Sequence, residues 1–524
     1  MDDVVAVTFS PAGLTVLVPV GTLVVEAARR AGVLVPAPCG GRGVCGSCGV
    51  RVLDGELAPP DEDEASGLAR APHGVRLACR ARIAGPVELR PLAVHAGTGA
   101  IASEARVVPT AVSASRLVAG VDLGTTTVAA VVVDAATGRE LSRAAVPNRQ
   151  QSYGADILSR LAAALGEGEI ALSQLAWSSI RDALSAALGL VAEPLPSLAS
   201  VVVAGNTAMS ALVAGADVAR LAVYPFEIPE LPTTLDASEL GFTAAQDAIV
   251  TLLPPIAGFV GGDALAGVIA GGLCDADAPT LLVDVGTNAE VLLAGVGPIR
   301  AASAAAGPAF EGAGISCGGP AAPGAVESVR LGEDGSVDLT VIGGGAPAWV
   351  SGSGLVSAVA ELVRRGHVTE DGLLVAEGPL ASRVGRDEGG VLGVVLDEAS
   401  GLRLTQLDIR ALQLAKAAVR VAVERVLNSA GVAAVDVDEV RVAGAFGGAM
   451  EPADLADLGV VPAGLARCMT AVGNTALEGA AMIALDEGLL SCAREAAAGA
   501  VQVDLASDPG FSAALMAATR LARY

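Results

Sequence analysis

Residues 117–138 read LVAGVDLGTTTVAAVVVDAATG, and residues 280–294 repeat the pattern as TLLVDVGTNAEVLLA. Each is an apolar strand, a tight Asp-x-Gly-Thr turn and a second strand rich in small and β-branched residues. Asp122 and Asp284 lie 162 positions apart, so one hairpin is duplicated at the scale of a whole lobe and not in a short repeat array. Two similar lobes facing a cleft are the natural inference. The turn chemistry suits phosphate. Gly124 and Gly286 let backbone N–H groups approach an anion, and Thr125, Thr126, Thr127, Thr287 and Asn288 add donors. Asp122 and Asp284 can hold Mg²⁺, directly or through water. Taken alone, a strand followed by Asp-x-Gly is often only a turn, and threonine suits strands by propensity.

A third element, DEVRVAGAFGG at 438–448, runs a strand into glycines. Gly444, Gly447 and Gly448 would let a planar base lie against backbone. Asp156 in SYGADILSR, Asp263 in GFVGGDALAG and Glu311 in AFEGAG are carboxylates in apolar or glycine-rich surroundings, which suits a cleft; helix capping explains the two aspartates nearly as well. His73, His95 and His367 are isolated, with no ligand or base partner in view.

Upstream, PCGGRGVCGSCGVRV at 38–52 and RLACRARI at 76–83 set Cys39, Cys45, Cys48 and Cys79 in the spacing C-x5-C-x2-C followed by a distant fourth. Four thiolates are what two irons bridged by two sulfides require, and Gly40, Gly41, Gly43 and Gly46 let the loop wrap and aim N–H groups at sulfur. Structural zinc is the competing reading, but zinc sites usually join two close cysteine pairs, and Cys79 stands alone. Valine-rich runs at 4–8 and 14–19 predict a hairpin, and Thr22 and Gly32 are placed to begin and end a helix through LVVEAARRA. That order suits a β-grasp domain over 1–92, joined by a small, polar, proline-punctuated linker at 93–115. Cys274, Cys317, Cys468 and Cys492 are scattered among apolar or small residues, as core cysteines are.

With 524 residues, two or three domains are expected. Fifty-seven acidic against 33 basic residues give a net charge of −24, which disfavours nucleic acid and anionic lipid as partners. Lys416 is the single lysine and sits in the apolar run LQLAKAAV, so no P-loop is present. The apolar stretch 251–273 carries Asp263, paired prolines and many glycines, unlike a spanning helix. Met1, Asp2 and Asp3 replace the basic start of a signal peptide, so a cytoplasmic protein is the expectation.

The cysteine spacing resembles adrenodoxin-like [2Fe-2S] ferredoxins, which implies a one-electron carrier. Phosphate loop, second phosphate loop and glycine segment, in that order, resemble the actin, hexokinase and Hsp70 superfamily of two-lobed ATPases, which implies ATP and Mg²⁺ between lobes that close. The implied fold is thus a β-grasp ferredoxin domain followed by a duplicated α/β, ribonuclease H-like ATPase at 116–524. Its lobe I spans about 116–278 and its lobe II about 279–470, with helices from 471–524 returning to lobe I. VAGNTAM at 203–209, PPIAGFVGGDALAG at 254–267, AAAGPAFEGAGISCG at 304–318, SGSGL at 351–355 and LQLAKAAVR at 412–420 look like motifs of the reductive activators of corrinoid proteins. That resemblance implies electron transfer to a cobalt(II) corrinoid on a partner protein, an upstream reductant and a homodimer. A small extra domain that members can carry between the ferredoxin part and the ATPase has no room here. An ATP-driven donor to another low-potential acceptor and a nucleotide-gated redox sensor are the alternative functions.

Overall fold

The computed structural model describes residues 4–10, 13–31, 33, 35, 41–43, 48–68, 74–92, 116–154, 156–189, 191, 197–387, 389–444 and 450–524. Cys39, Cys45, Gly32, Gly40, Gly46, Gly447, Gly448, His73, His95 and the expected linker lie outside them.

The first domain is one mixed sheet of β1 (Val4–Phe9), β2 (Leu14–Pro19), β3 (Gly49–Leu57), β4 (Arg76–Leu77) and β5 (Ile83–Pro91), ordered β2-β1-β5-β3-β4. β1 pairs antiparallel with β2 and parallel with β5, the crossed arrangement of a β-grasp. Helix Val24–Arg30 buries Val24, Val25, Ala27 and Ala28 against Val7, Leu77 and Ile83. Thr22 does not cap it. Its hydroxyl donates to the Pro19 carbonyl at 2.6 Å, the cap position falls on Leu23, and Val24 and Val25 donate instead to Ala81 and Ala78 beside Cys79. A backbone pair thus replaces the side-chain cap and ties the helix to the cysteine segment.

Lobe I contains β6 (Arg116–Leu123), β7 (Thr127–Asp134), β8 (Glu140–Pro147), β9 (Ser197–Gly205), β10 (Thr234–Leu235) and β11 (Ile249–Leu252). Its sheet runs β10-β11-β9-β6-β7-β8, with β6, β7 and β8 antiparallel and β9 and β11 parallel to β6. Lobe II repeats the scheme. β12 (Thr280–Val285), β13 (Ala289–Ala294) and β14 (Arg300–Ala304) form its antiparallel half. After β14 the chain adds two small antiparallel-based sheets, from β15 (Ala325–Leu331), β16 (Val337–Val341) and β17 (Trp349–Val350), then β18 (Val384–Arg386), β19 (Leu392–Asp397) and β20 (Leu402–Thr405). It rejoins the main sheet as β21 (Glu439–Ala443) and β22 (Met469–Gly473), with β23 (Val501–Gln502) on the β14 edge. Read from the third strand, β8-β7-β6-β9-β11 in lobe I matches β14-β13-β12-β21-β22 in lobe II, three antiparallel strands followed by two parallel to the first, so the duplication seen in the hairpins extends to the whole sheet.

The stretch 471–524 divides between the lobes. Helix Thr475–Leu485 packs Leu477, Ala480 and Ala481 against Val118, Val131 and Val202 of lobe I. β23 and helix Phe511–Ala518 instead pack on lobe II, the helix against Ala417 and Val421. The expectation that the whole stretch returns to lobe I is therefore corrected for its last part, because the apolar face of the long helix Gln406–Ala430 needs cover there. Helix Val24–Arg30 also touches lobe I: the Arg29 guanidinium lies 3.9 Å above the Tyr153 ring and donates to the Ser152 carbonyl. Among the described residues no helix is long and apolar enough to cross a membrane.

Lys416 is fully buried in helix Gln406–Ala430, where its ammonium donates to the Gly459 carbonyl at 3.4 Å and to that of Arg520. Burial, aided by Arg420, pulls its pKa down from 10.5 to about 7. The folded state therefore sheds a proton that the unfolded chain keeps up to about pH 10.5, so this group adds stability as pH rises from 7 to 10.5 and none below 7. In melting curves between pH 6 and pH 10, Lys416→Met is expected to lose that rise relative to the parent chain, a difference on the order of 3–5 kcal/mol. Parallel curves for the two proteins would show that the amine does not titrate in this window.

Candidate nucleotide cleft and cluster site

The two Asp-x-Gly turns meet between the lobes, with Thr126 Oγ1 and Thr287 Oγ1 3.4 Å apart. β6 and β12 bring their aspartates to this point by equivalent register, Asp122 opposite Ala129 and Asp284 opposite Glu290. The fourth strands run alongside, Ala204 next to Asp122 and Ala443 next to Asp284. Gly444 follows Ala443 at φ 117°, and a Cβ there would lie 2.4 Å from the Val285 carbonyl oxygen and 3.3 Å from Asp284 Oδ1. Glycine is thus required at that position by both backbone conformation and space.

Five carboxylates converge here. Burial raises Asp284 to about 8, with Asp263, Asp122 and Glu311 adding repulsion. Burial also raises Asp122 to about 7 against an opposing hydrogen bond from Asn474, and Asp263 to about 6. Glu290, buried beside them on β13, is pushed well above the usual carboxylate range by burial first and then by Asp263 and Asp284. Like charges held this closely need a cation or protons to coexist. Asp263 lies in the first turn of helix Gly262–Ala270 and accepts from the Ala264 N–H at 2.8 Å, but the cap position falls on Gly261 and no side chain caps the helix, so Asp263 serves the cleft and not the cap. Asp156 is an ordinary cap, accepting from Ser159 N at 2.8 Å.

Several contacts were not foreseen from the sequence. Asn474 reaches across the lobes to donate to Asp122 Oδ2 at 2.8 Å, and Asn206 donates to Thr125 Oγ1 at 3.0 Å. Each caps the helix after it. The signal was available: Gly-Asn-Thr-Ala occurs at both 205–208 and 473–476. Glu311 Oε1 accepts from Thr287 N and Thr287 Oγ1, both at 2.7 Å, and so seats a carboxylate on the donors of the second turn. Gly307 at φ 77° and Gly312 at φ 67° bracket that residue.

In the first domain Cys48 and Cys79 are both buried, with their sulfurs 3.3 Å apart. A disulfide would bring them to about 2.05 Å. Two sulfurs on one tetrahedral metal at about 2.3 Å lie roughly 3.8 Å apart, so parting by about half an ångström would seat both on a shared ion. The hydrogen bond with Cys79 lowers the Cys48 pKa to about 7 against the effect of burial, which favours the ligand form. Around them the loop is tight. A Cβ on Gly67 would lie 1.9 Å from the Gly43 carbonyl oxygen, so this helix glycine, absent from the sequence reading, lets the cysteine loop close. Glu64, 1% exposed, binds Arg76 at 2.7 Å and the Leu77 N–H at 2.9 Å, fixing the strand before Cys79.

A β-grasp domain with a buried cysteine pair, joined to two duplicated lobes around an acidic cleft, defines a ferredoxin-like module fused to a two-lobed ATPase fold. Comparison with known proteins agrees in all three parts. A 2Fe-2S iron-sulfur cluster binding domain matches residues 7–84, the RACo middle region matches 117–276, and the C-terminal domain of RACo, the ASKHA domain, matches 278–524. The chain is 29% identical over 406 residues to the corrinoid activation enzyme RamQ of Eubacterium limosum, covering 74% of this chain and 68% of that one. It is also 29% identical over 276 residues to the [Co(II) methylated amine-specific corrinoid protein] reductase of Methanosarcina barkeri, covering 48% of each. The solved structure of a reductive activator for corrinoid, iron-sulfur protein superposes with a TM-score of 0.71 at 25% identity, over 99% of this chain and 98% of that one. The chain belongs to the family of reductive activators of corrinoid proteins. The middle-region match falls on lobe I itself.

Proposed function

We propose that this chain is an ATP-dependent reductive activator that passes one electron to a cobalt(II) corrinoid carried by another protein, giving cobalt(I). The observation that carries the reading is one chain that joins a buried thiolate pair to a two-lobed cleft whose phosphate loops touch at 3.4 Å. A [2Fe-2S] cluster held by Cys39, Cys45, Cys48 and Cys79 would supply the one-electron chemistry.

Asp122 and Asp284 would hold Mg²⁺, with Asn474 fixing the orientation of Asp122 from the opposite lobe. Thr125, Thr126 and Thr127 with Gly124 would take one part of the triphosphate, and Gly286, Thr287 and Asn288 the other. Gly444, Gly447 and Gly448 would lie along the base. A phosphate on Thr287 must displace Glu311, because two anions cannot share the same donors, and the bracketing glycines give that residue freedom to move. Nucleotide binding would thereby be registered in the loop 304–318, which Asp408 anchors through Ser316 N at 2.6 Å.

The energy scale is adequate. For one electron a tenfold change in equilibrium takes about 59 mV, so an uphill gap of roughly 100 mV needs about 2.3 kcal/mol, within the 1–3 kcal/mol of ordinary allosteric coupling. An upstream reductant, a cytoplasmic location and a homodimeric assembly complete the reading.

The test is to mix reduced, cluster-loaded protein with a cobalt(II) corrinoid protein, with and without Mg-ATP, and follow the visible spectrum. A cobalt(I) band that appears only with Mg-ATP is expected. ATP turnover that never alters the cobalt spectrum would reject the assignment in favour of a nucleotide-gated sensor.

A further inference from the structure

Arg160 is 0% exposed, on helix Ile157–Ala163 behind the first Asp-x-Gly turn. Its Nη2 donates to the Thr125 carbonyl at 2.5 Å, Nε to the Gly154 carbonyl at 2.9 Å, and Nη1 to Gln150 Oε1 at 3.3 Å and Met209 Sδ at 3.2 Å. Every one of these acceptors is neutral. Asp156, on the same helix, is exposed and spends both oxygens on Ser159. The Asp156 charge acts on Arg160 from a distance, but no carboxylate bonds to it; a guanidinium so buried is costly, by several kcal/mol, and a neutral amide could brace the same carbonyls for less. Burial lowers its pKa only to about 9, so the charge persists at neutral pH.

What the cation adds is a field at one peptide group. In a trans peptide the N–H points opposite to the C=O, so a donor holding the Thr125 carbonyl from the lobe interior turns the Thr126 N–H outward. Asn148 Nδ2 does the same for the preceding peptide, donating to the Gly124 carbonyl at 2.8 Å. Hydrogen bonds in series polarise one another, and a charged first donor polarises most. The cleft otherwise presents Asp122, Asp263, Asp284, Glu290 and Glu311 to a polyanion, while the chain's single lysine is buried elsewhere.

We propose that Arg160 is a positioning residue for the nucleotide's phosphates: through the Thr125–Thr126 peptide it makes the Thr126 N–H a stronger anion donor and supplies positive charge behind an otherwise acidic site. This rests on the nucleotide reading of the cleft and assigns a role within it.

The test measures dissociation constants of ATP, ADP and adenosine by calorimetry, on the full cluster-loaded chain and on Arg160→Gln and Arg160→Lys. Arg160→Gln is expected to weaken ATP about tenfold or more, ADP less, and adenosine by under about twofold. Arg160→Lys, which keeps the charge in the same helix, should recover most of the ATP affinity. An equal loss for all three ligands, or no loss in Arg160→Gln, overturns the proposal and leaves a purely structural arginine. If Arg160→Gln does not fold, Arg160→Lys decides alone: ATP affinity held while adenosine is unchanged supports the charge, and equal weakening of both overturns it. A parent chain with no affinity for ATP would instead reject the nucleotide reading itself.

Discussion

Asp284→Asn is expected to reduce Mg-ATP-dependent cobalt reduction by at least about 100-fold, since even residues that only orient a metal's ligands cost 10–100-fold when replaced. The same change should stabilise the nucleotide-free protein. Burial and the neighbouring Asp263, Asp122 and Glu311 raise Asp284 from 3.8 to about 8. The unfolded chain gives up this proton near pH 4 while the folded one holds it to about pH 8, so stability drains away as pH climbs through that window. An amide carries no such debt. Without Mg²⁺ and nucleotide, the variant should therefore melt above the parent at pH 8, and the difference should vanish towards pH 4. Retained turnover would remove Asp284 from the metal site, and a melting difference that ignores pH would show that like-charge burial is not its cause.

Cys79→Ser is the second large effect. The buried Cys79 sulfur sits 3.3 Å from that of Cys48, and its segment is pinned through Ala78 and Ala81 to helix Val24–Arg30. A serine hydroxyl is a harder, less readily ionised ligand, so the visible cluster absorption should bleach or shift and electron delivery should fall to background. Nucleotide affinity should stay within about twofold, because the lobes have their own apolar cores. Unchanged absorption would remove Cys79 from the ligand set.

The parts of this molecule legible in the sequence are those written in short windows. The cysteine spacing, the two Asp-x-Gly hairpins and the Ala443–Gly444 strand end each need only a dozen residues to be recognised. Asn474 acts on Asp122 from 352 positions away, and Arg160 serves Thr125 through a lobe interior that no local pattern describes. Thr22 shows the converse error: a good capping residue lost its helix to a nearer carbonyl at Pro19. The six strands β15–β20 went unseen because they are short, half-polar and threaded through a glycine-rich stretch that reads as loop.

The two helices that join the lobes meet almost backbone to backbone. A Cβ on Gly479 would lie 2.0 Å from the Ala266 carbonyl oxygen, one on Gly267 would meet Leu282 and Thr475 at 3.0 and 3.2 Å, and one on Gly120 would fall 2.5 Å from Ala481 N. Where Gly479 meets Ala266 no side chain stands between the two backbones, while Leu265 and Ile269 pack with Leu477 and Ile483 around that point, so the crossing is held at one close distance. The joint therefore acts as a spacer of fixed thickness, which a side chain at Gly479 would have to wedge apart. That thickness sets how far apart the helix starts stand, and with them Asn474 beside Asp122 and Asp263 beside Asp284.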